Sequence, residues 1–154
     1  MRTESLSAFA ESFYARDTVR EACLRLQDEA GCDVPLILTA IWLGRRGIAL
    51  SRAEWDALES GLAPWRREVV EPLRRVRRGL KEALAEPGVA TVREQVQAAE
   101  LAAEYRALDW LEMQVANLGA SRSDAVEANL AAVLGSRAPV AAVNTLRAAV
   151  RDEV

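Results

Sequence analysis

Residues 34–44, Val-Pro-Leu-Ile-Leu-Thr-Ala-Ile-Trp-Leu-Gly, are apolar on nearly every side. A helix of that kind has to be buried around its whole circumference. It is also about half as long as a bilayer crossing requires. The rest of the chain must therefore wrap it, which makes it the centre of a globular helical domain. With 154 residues, 51% of them hydrophobic and 28% charged, the chain is long enough for one such core. The expectation is a single domain over residues 1–154.

Helix signals run through the remainder and strand signals are almost absent. Ser/Thr-x-x-Glu at 18–21, 51–54 and 91–94 has the spacing of a capping box, so each is expected to start a helix. Val19, Ala22, Cys23, Leu26 and Ala30 share one helical face, which Gly31 ends. Asp33 with Pro35 opens the central helix. A short amphipathic helix at about 51–60 follows, and Pro64 stands near the start of a second that runs to about Ala85. Pro72 should kink or break that second helix near Val70.

After the turn at 85–90 comes a long helix, about 91–118. Its two offset seams are Val92, Val96, Ala99, Ala103, Trp110 and Met113, and Leu101, Tyr105, Leu108, Leu111, Val115 and Leu118. Two seams imply neighbours on both sides. Helices at about 122–134 and 139–151 complete an all-α bundle of seven or eight.

The chain has no histidine, and that removes whole mechanisms at once. It excludes Ser-His-Asp and Cys-His nucleophile activation, His general bases and His-ligated metals. No Gly-rich phosphate loop is present. The acidic N-terminal stretch and the two cysteines, Cys23 and Cys32, suit a protein that stays in a reducing cytoplasm. No cofactor and no metal site is expected. Glu100 and Glu104, one turn apart, are read as a salt-bridged or solvated face. Asp28, Glu29 and Asp33 are read as helix-junction acids, with diphosphate or metal binding as the sharper alternative.

Residues 65–81 carry seven basic residues and two acids, a +5 island in a chain of net charge −3. At helical spacing Trp65, Val69, Leu73, Val76 and Leu80 form an apolar face. Arg66, Arg67, Arg74, Arg77, Arg78 and Lys81 form a basic stripe beside it. The stripe either pairs with acids of the long helix or docks an anionic partner. A protein partner fits the overall acidity better than nucleic acid does. Trp42, Trp55 and Trp65 fall close together in sequence, so any small-molecule pocket is sought among Gln27, Trp42, Arg45, Trp65 and Arg66.

Three stretches, 22–47, 64–81 and 98–112, carry a Cys-Leu-x-Leu-Gln element, an apolar helix ending in Trp-Leu, a Trp-Arg…Pro-Leu-Arg…Arg…Lys element and a Glu-Leu…Glu stretch. In this order they resemble a family of short bacterial proteins of unknown function. The resemblance covers roughly residues 9–118. It implies a helical protein and nothing catalytic. The matching residues are Cys23, Leu24, Leu26, Gln27, Trp42, Leu43, Trp65, Arg66, Pro72, Leu73, Arg74, Arg77, Lys81, Glu100 and Glu104.

The functional expectation is a non-enzymatic adaptor that docks a partner through the Arg-rich helix. Two alternatives stay open. One is a helical protein that binds a small anionic ligand or a diphosphate, conceivably with carboxylate catalysis. The other is an assembly subunit that self-associates through its Ala-rich C-terminal helices.

Overall fold

The computed structural model describes residues 4–152, so the first three and last two residues of the expected domain lie outside the description. Eight α-helices follow one another: α1 (Leu6–Tyr14), α2 (Asp17–Ala30), α3 (Val34–Arg45), α4 (Arg52–Trp65), α5 (Glu71–Leu80), α6 (Val89–Val115), α7 (Ala125–Leu134) and α8 (Val140–Asp152). The only strands among the described residues are β1 (Ile48–Ala49) and β2 (Ala120–Ser121), an antiparallel pair. Among the described residues no helix is long and apolar enough to cross a membrane.

The central helix is where its composition puts it. Every residue of α3 from Leu36 to Gly44 is buried. The helices α1, α2, α6 and α7 surround it, with α7 the most intimate neighbour. Gly44 makes that intimacy possible, since a Cβ there would stand 2.6 Å from the Val126 Cα. Asn129 of α7 is fully buried and ties three pieces of backbone together. Its Oδ1 accepts from the Leu50 N–H at 3.1 Å, and its Nδ2 donates to the Ala40 and Ile48 carbonyls at 3.1 and 2.9 Å. The helix α8 closes the other end against α2, burying Ala142, Leu146, Ala149 and Val150. The apolar faces of both C-terminal helices are thus used within the chain.

Helix starts depart from expectation at two of the three capping boxes. Ser51 forms its box with Glu54 in full. Thr18 does not cap α2, which begins at Asp17 with Arg16 at the N-cap. Thr91 does not cap α6, which begins at Val89 directly after Gly88. A capping hydroxyl needs extended backbone at its own residue, and both threonines already lie inside the first turn.

The expected start at Pro64 is also corrected. Pro64 lies inside α4, and the chain continues from α4 through a π-helical turn, Arg66–Val70, straight into α5. The expected break near Val70 is this wider turn, in which the Glu71 N–H bonds back to the Arg66 carbonyl. It leaves Pro72 in the first turn of α5, where no amide hydrogen is needed. Counted as one rod, α4 and α5 bring the bundle to seven. The rod ends in a 3₁₀ turn, Lys81–Ala83, earlier than expected.

The long helix α6 packs only in part. Ala103, Ala107, Leu108, Leu111 and Val115 are buried, whereas Val92, Leu101 and Met113 of the expected seams are exposed. It packs along α5, which buries none of its own residues.

Gly44→Ala is expected to lower stability by about 2–3 kcal/mol, because the contact it would strain is backbone. Gly79→Ala is expected to raise it by about 0.5–1 kcal/mol, since a Cβ at this helical position meets nothing. Asn129→Ala should cost about 2–3 kcal/mol by stranding buried backbone groups. Urea denaturation of the three variants checks all of these.

Candidate functional site

The helix α5 continues from α4 through the π turn and faces α6 across a seam of charged pairs. Arg74 and Arg77 lie on its inner face, one turn apart, opposite Glu100 and Glu104, which are one turn apart on α6. Arg77 grips Glu100 with two donors, Nε on Oε2 and Nη2 on Oε1, the latter at 3.2 Å. Arg74 bridges both acids, with Nε 3.5 Å from Glu100 and Nη2 3.4 Å from Glu104. Two parallel N–H donors meeting one carboxylate make the strongest form of charged pair. One π turn earlier, Arg66 hydrogen-bonds Asp33 at the N-terminus of α3. Trp65 completes the seam by donating its Nε1 hydrogen to the Ala103 carbonyl at 2.9 Å.

The carboxyls on this seam respond differently to their surroundings. Burial raises Glu100, but the hydrogen bonds and charge of Arg77, together with Arg74, outweigh it and hold the group below the ordinary glutamate value. Burial raises Asp33, and Arg66 only partly offsets it. Burial also raises Glu104 against the pull of Arg74, although 37% of its side chain remains accessible from the cleft. Pairing and burial thus push the two neighbouring glutamates in opposite directions. Such spreading of carboxylate behaviour is characteristic of functional clefts.

Between this seam and α2 lies a cleft with two lobes, of about 410 and 520 Å³. Gln27, Val34, Pro35, Arg74, Arg78 and Glu104 line both. The inner lobe reaches Asp33, Trp65 and Arg66. The outer lobe reaches Tyr14, Leu24, Arg77, Leu101 and Tyr105. Each volume is within the range of small-molecule sites. The Gln27 amide and the Tyr14 hydroxyl make no hydrogen bond with any described residue. Burial pushes the Tyr14 hydroxyl up to about 12, so it stays a neutral donor. The Nη1 groups of Arg74 and Arg77 donate no hydrogen bond among the described residues either, which leaves donor capacity for an acceptor in the cleft.

The structure divides the basic stripe. Arg66, Arg74 and Arg77 all turn inward to acids distant in sequence, Arg66 to Asp33 and the other two to α6. Arg67 and Arg78 are exposed, Arg67 beside Glu68 at 3.5 Å and Arg78 beside Asp28 at 4.0 Å. Lys81 is exposed in the 3₁₀ turn.

Of the expected pocket residues, Gln27, Trp65 and Arg66 meet in the cleft, but Trp42 and Arg45 do not. They lie two to three turns further along α3 than Pro35, roughly 10–15 Å away. Trp42 is buried and donates to the Glu4 carbonyl, with Arg46 over its ring at 4.6 Å. Arg45 stacks on Phe9. Trp55 is buried in the core.

The three junction acids also separate. Asp33 is held by Arg66, Glu29 pairs with Arg25 and Asp28 is exposed. Among the described residues no group of three Cys, Asp or Glu could hold a metal ion. Tyr14, Tyr105 and Leu101 belong to the cleft although no sequence signal marked them as site residues. Cys23 is fully buried with its thiol pushed up to about 12 by burial, as befits packing rather than chemistry.

The model of a family described as Protein of unknown function (DUF2390) matches residues 5–111. That stretch runs from α1 into the last turns of α6 and contains every cleft residue named above, while α7 and α8 lie beyond it. No curated protein and no solved structure matches the chain.

Glu100 and Glu104 should respond oppositely to neutralisation. The stability that Glu100 contributes is present above the unfolded-state glutamate value and is lost as pH falls through its depressed folded-state value. Glu100→Gln is therefore expected to cost about 2 kcal/mol at pH 7 and to flatten the acid limb of the stability curve. Glu104 binds its proton more tightly when folded, so its ionisation costs stability as pH rises through that range. Glu104→Gln should leave the midpoint unchanged or raise it. Urea midpoints from pH 3 to 8 check both.

Proposed function

Because the chain belongs to the DUF2390 family, described as of unknown function, and its cleft lies wholly within the matched stretch, we propose that it binds a small anionic ligand in that cleft. The observation that carries this reading is the surplus of aligned donors. Arg20, Arg74, Arg77 and Arg78 border the outer lobe against Glu11, Glu100 and Glu104. The excess is positive, and Nη1 groups on two of those guanidiniums are uncommitted. Gln27 and Tyr14 add neutral donors at the same wall. A carboxylate or phosphate suits such a set, because planar guanidinium edges match its geometry.

The reading is of binding rather than turnover. Cys32 borders the inner lobe, but burial raises its thiol away from the nucleophilic thiolate. Both cysteines are free and buried, which suits a reducing compartment such as the cytoplasm.

A second reading has an observation of its own. The segment from α5 to the start of α6 exposes Val76, Leu84 and Val92, three of the seven exposed large hydrophobics among the described residues. Arg75, Arg78 and Lys81 lie exposed beside them. Apolar surface ringed by charge is the usual form of a protein-docking site. The adaptor reading is thereby narrowed from the whole stripe to its outer half.

Calorimetric titration with inorganic phosphate, at ionic strength matched with chloride, tests the first reading. Saturable binding that Arg78→Gln weakens about fivefold or more is expected, since that exposed residue can be changed without disturbing the buried pairs. No phosphate heat beyond the chloride control, with acetate equally silent, would count against the cleft as an anion site. Photo-crosslinking from position 76, compared with position 140, tests the second. A specific adduct from the first position only is expected.

A further inference from the structure

The outer lobe is asymmetric in a way that the anion reading alone does not use. Leu24 of α2 and Leu101 of α6 are 40% and 54% exposed, yet both line this one cavity, together with Leu38, Tyr14 and Tyr105. Apolar side chains from separate helices thus converge on a bounded space instead of being scattered. The cations Arg74, Arg77 and Arg78 of α5 and Arg20 of α2 border the same space, outnumbering the carboxylates Glu11, Glu100 and Glu104 by one. A ligand that is only a compact anion would leave the apolar wall wet. An uncharged apolar ligand would leave the Nη1 donors of Arg74 and Arg77 unused.

We infer that the ligand is an amphiphilic organic anion: one carboxylate or phosphate head joined to an aliphatic or aromatic body. The head takes the junction of the two lobes, where Arg74 and Arg78 line both beside the single carboxylate Glu104, and where Gln27 can donate to it. The body lies along Leu24, Leu38, Leu101 and the two tyrosine rings. At about 520 Å³ the outer lobe holds a molecule of ordinary metabolite size. Burying its body also removes from water the exposed leucine surface that the fold leaves uncovered. This inference rests on the anion-binding reading above and adds to it the chemistry of the rest of the ligand.

The test titrates the whole chain with acetate, octanoate, octanamide and inorganic phosphate, all below their aggregation concentrations. Octanoate is expected to bind about a hundredfold more tightly than acetate, from burial of several methylenes. Octanamide, which shares the chain but not the charge, should bind at least tenfold more weakly than octanoate. Leu24→Gln and Leu101→Gln alter exposed residues that the fold does not need, and each should shrink the octanoate-to-acetate ratio severalfold. Met113→Gln, at an exposed site away from the cleft, should leave that ratio as it is.

If phosphate and acetate bind but octanoate is no tighter, the amphiphile is wrong and the anion site stands. If octanamide matches octanoate, the charge requirement fails and the inference falls. If neither phosphate, acetate nor octanoate binds, both readings fall together. Sedimentation with vesicles of anionic phospholipid distinguishes a free amphiphile from a membrane headgroup. Vesicle binding without binding of monomeric octanoate would overturn the inference.

Discussion

A helical run sealed from water on every side, Leu36 to Gly44, governs this protein. Because α3 must be covered around its whole circumference, α1, α2, α6 and α7 have to reach it. That requirement sets how tightly the elements approach. At Gly44 the coverage is so close that only a hydrogen fits in place of a side chain. At Asn129 it is accompanied by a side chain that satisfies three backbone groups which the packing would otherwise strand. Sealing α3 thus explains both the bundle and its most specific polar contact.

A different force holds the outer part of the molecule. The helix α5 buries none of its residues and is laid along α6 through Arg74, Arg77, Glu100 and Glu104. Charged seams of this kind gain less from desolvation than an apolar interface does, so they are weak evidence for stability. Their consequence is chemical: they keep several guanidiniums partly desolvated and aligned at the edge of a cavity. The wider π turn between α4 and α5 contributes as well, since it contains Arg66, which reaches Asp33. Local helix irregularities of this type are frequent at functional sites.

The cleft draws its walls from helices distant in sequence, with Gln27, Trp65, Arg74 and Glu104 meeting at one place. Residues that the sequence resemblance singled out contribute much of it. Others from the same set, Trp42 and Leu43, serve the core instead. A motif residue can therefore mark either role, and only position relative to the cavity separates them.

By itself the sequence determined the all-helical class, the central place of residues 34–44, the Gly31 stop, the Ser51 capping box and the amphipathic character of residues 65–81. All of these follow from spacing along the chain, because helical periodicity, caps and charge segregation are local properties. The pairing of Glu100 and Glu104 with the arginine stripe was also within reach, as one of two weighed alternatives. Tertiary structure alone decided that Arg66, Arg74 and Arg77 turn inward while Arg78 and Lys81 stay exposed, that Pro64 continues a helix, and that Trp42 leaves the site. It also decided that Tyr14, Leu24 and Leu101 share a cavity with the arginines. Whether a charged or apolar side chain finds a partner depends on helices far away in sequence, and no periodicity within one helix records that distance.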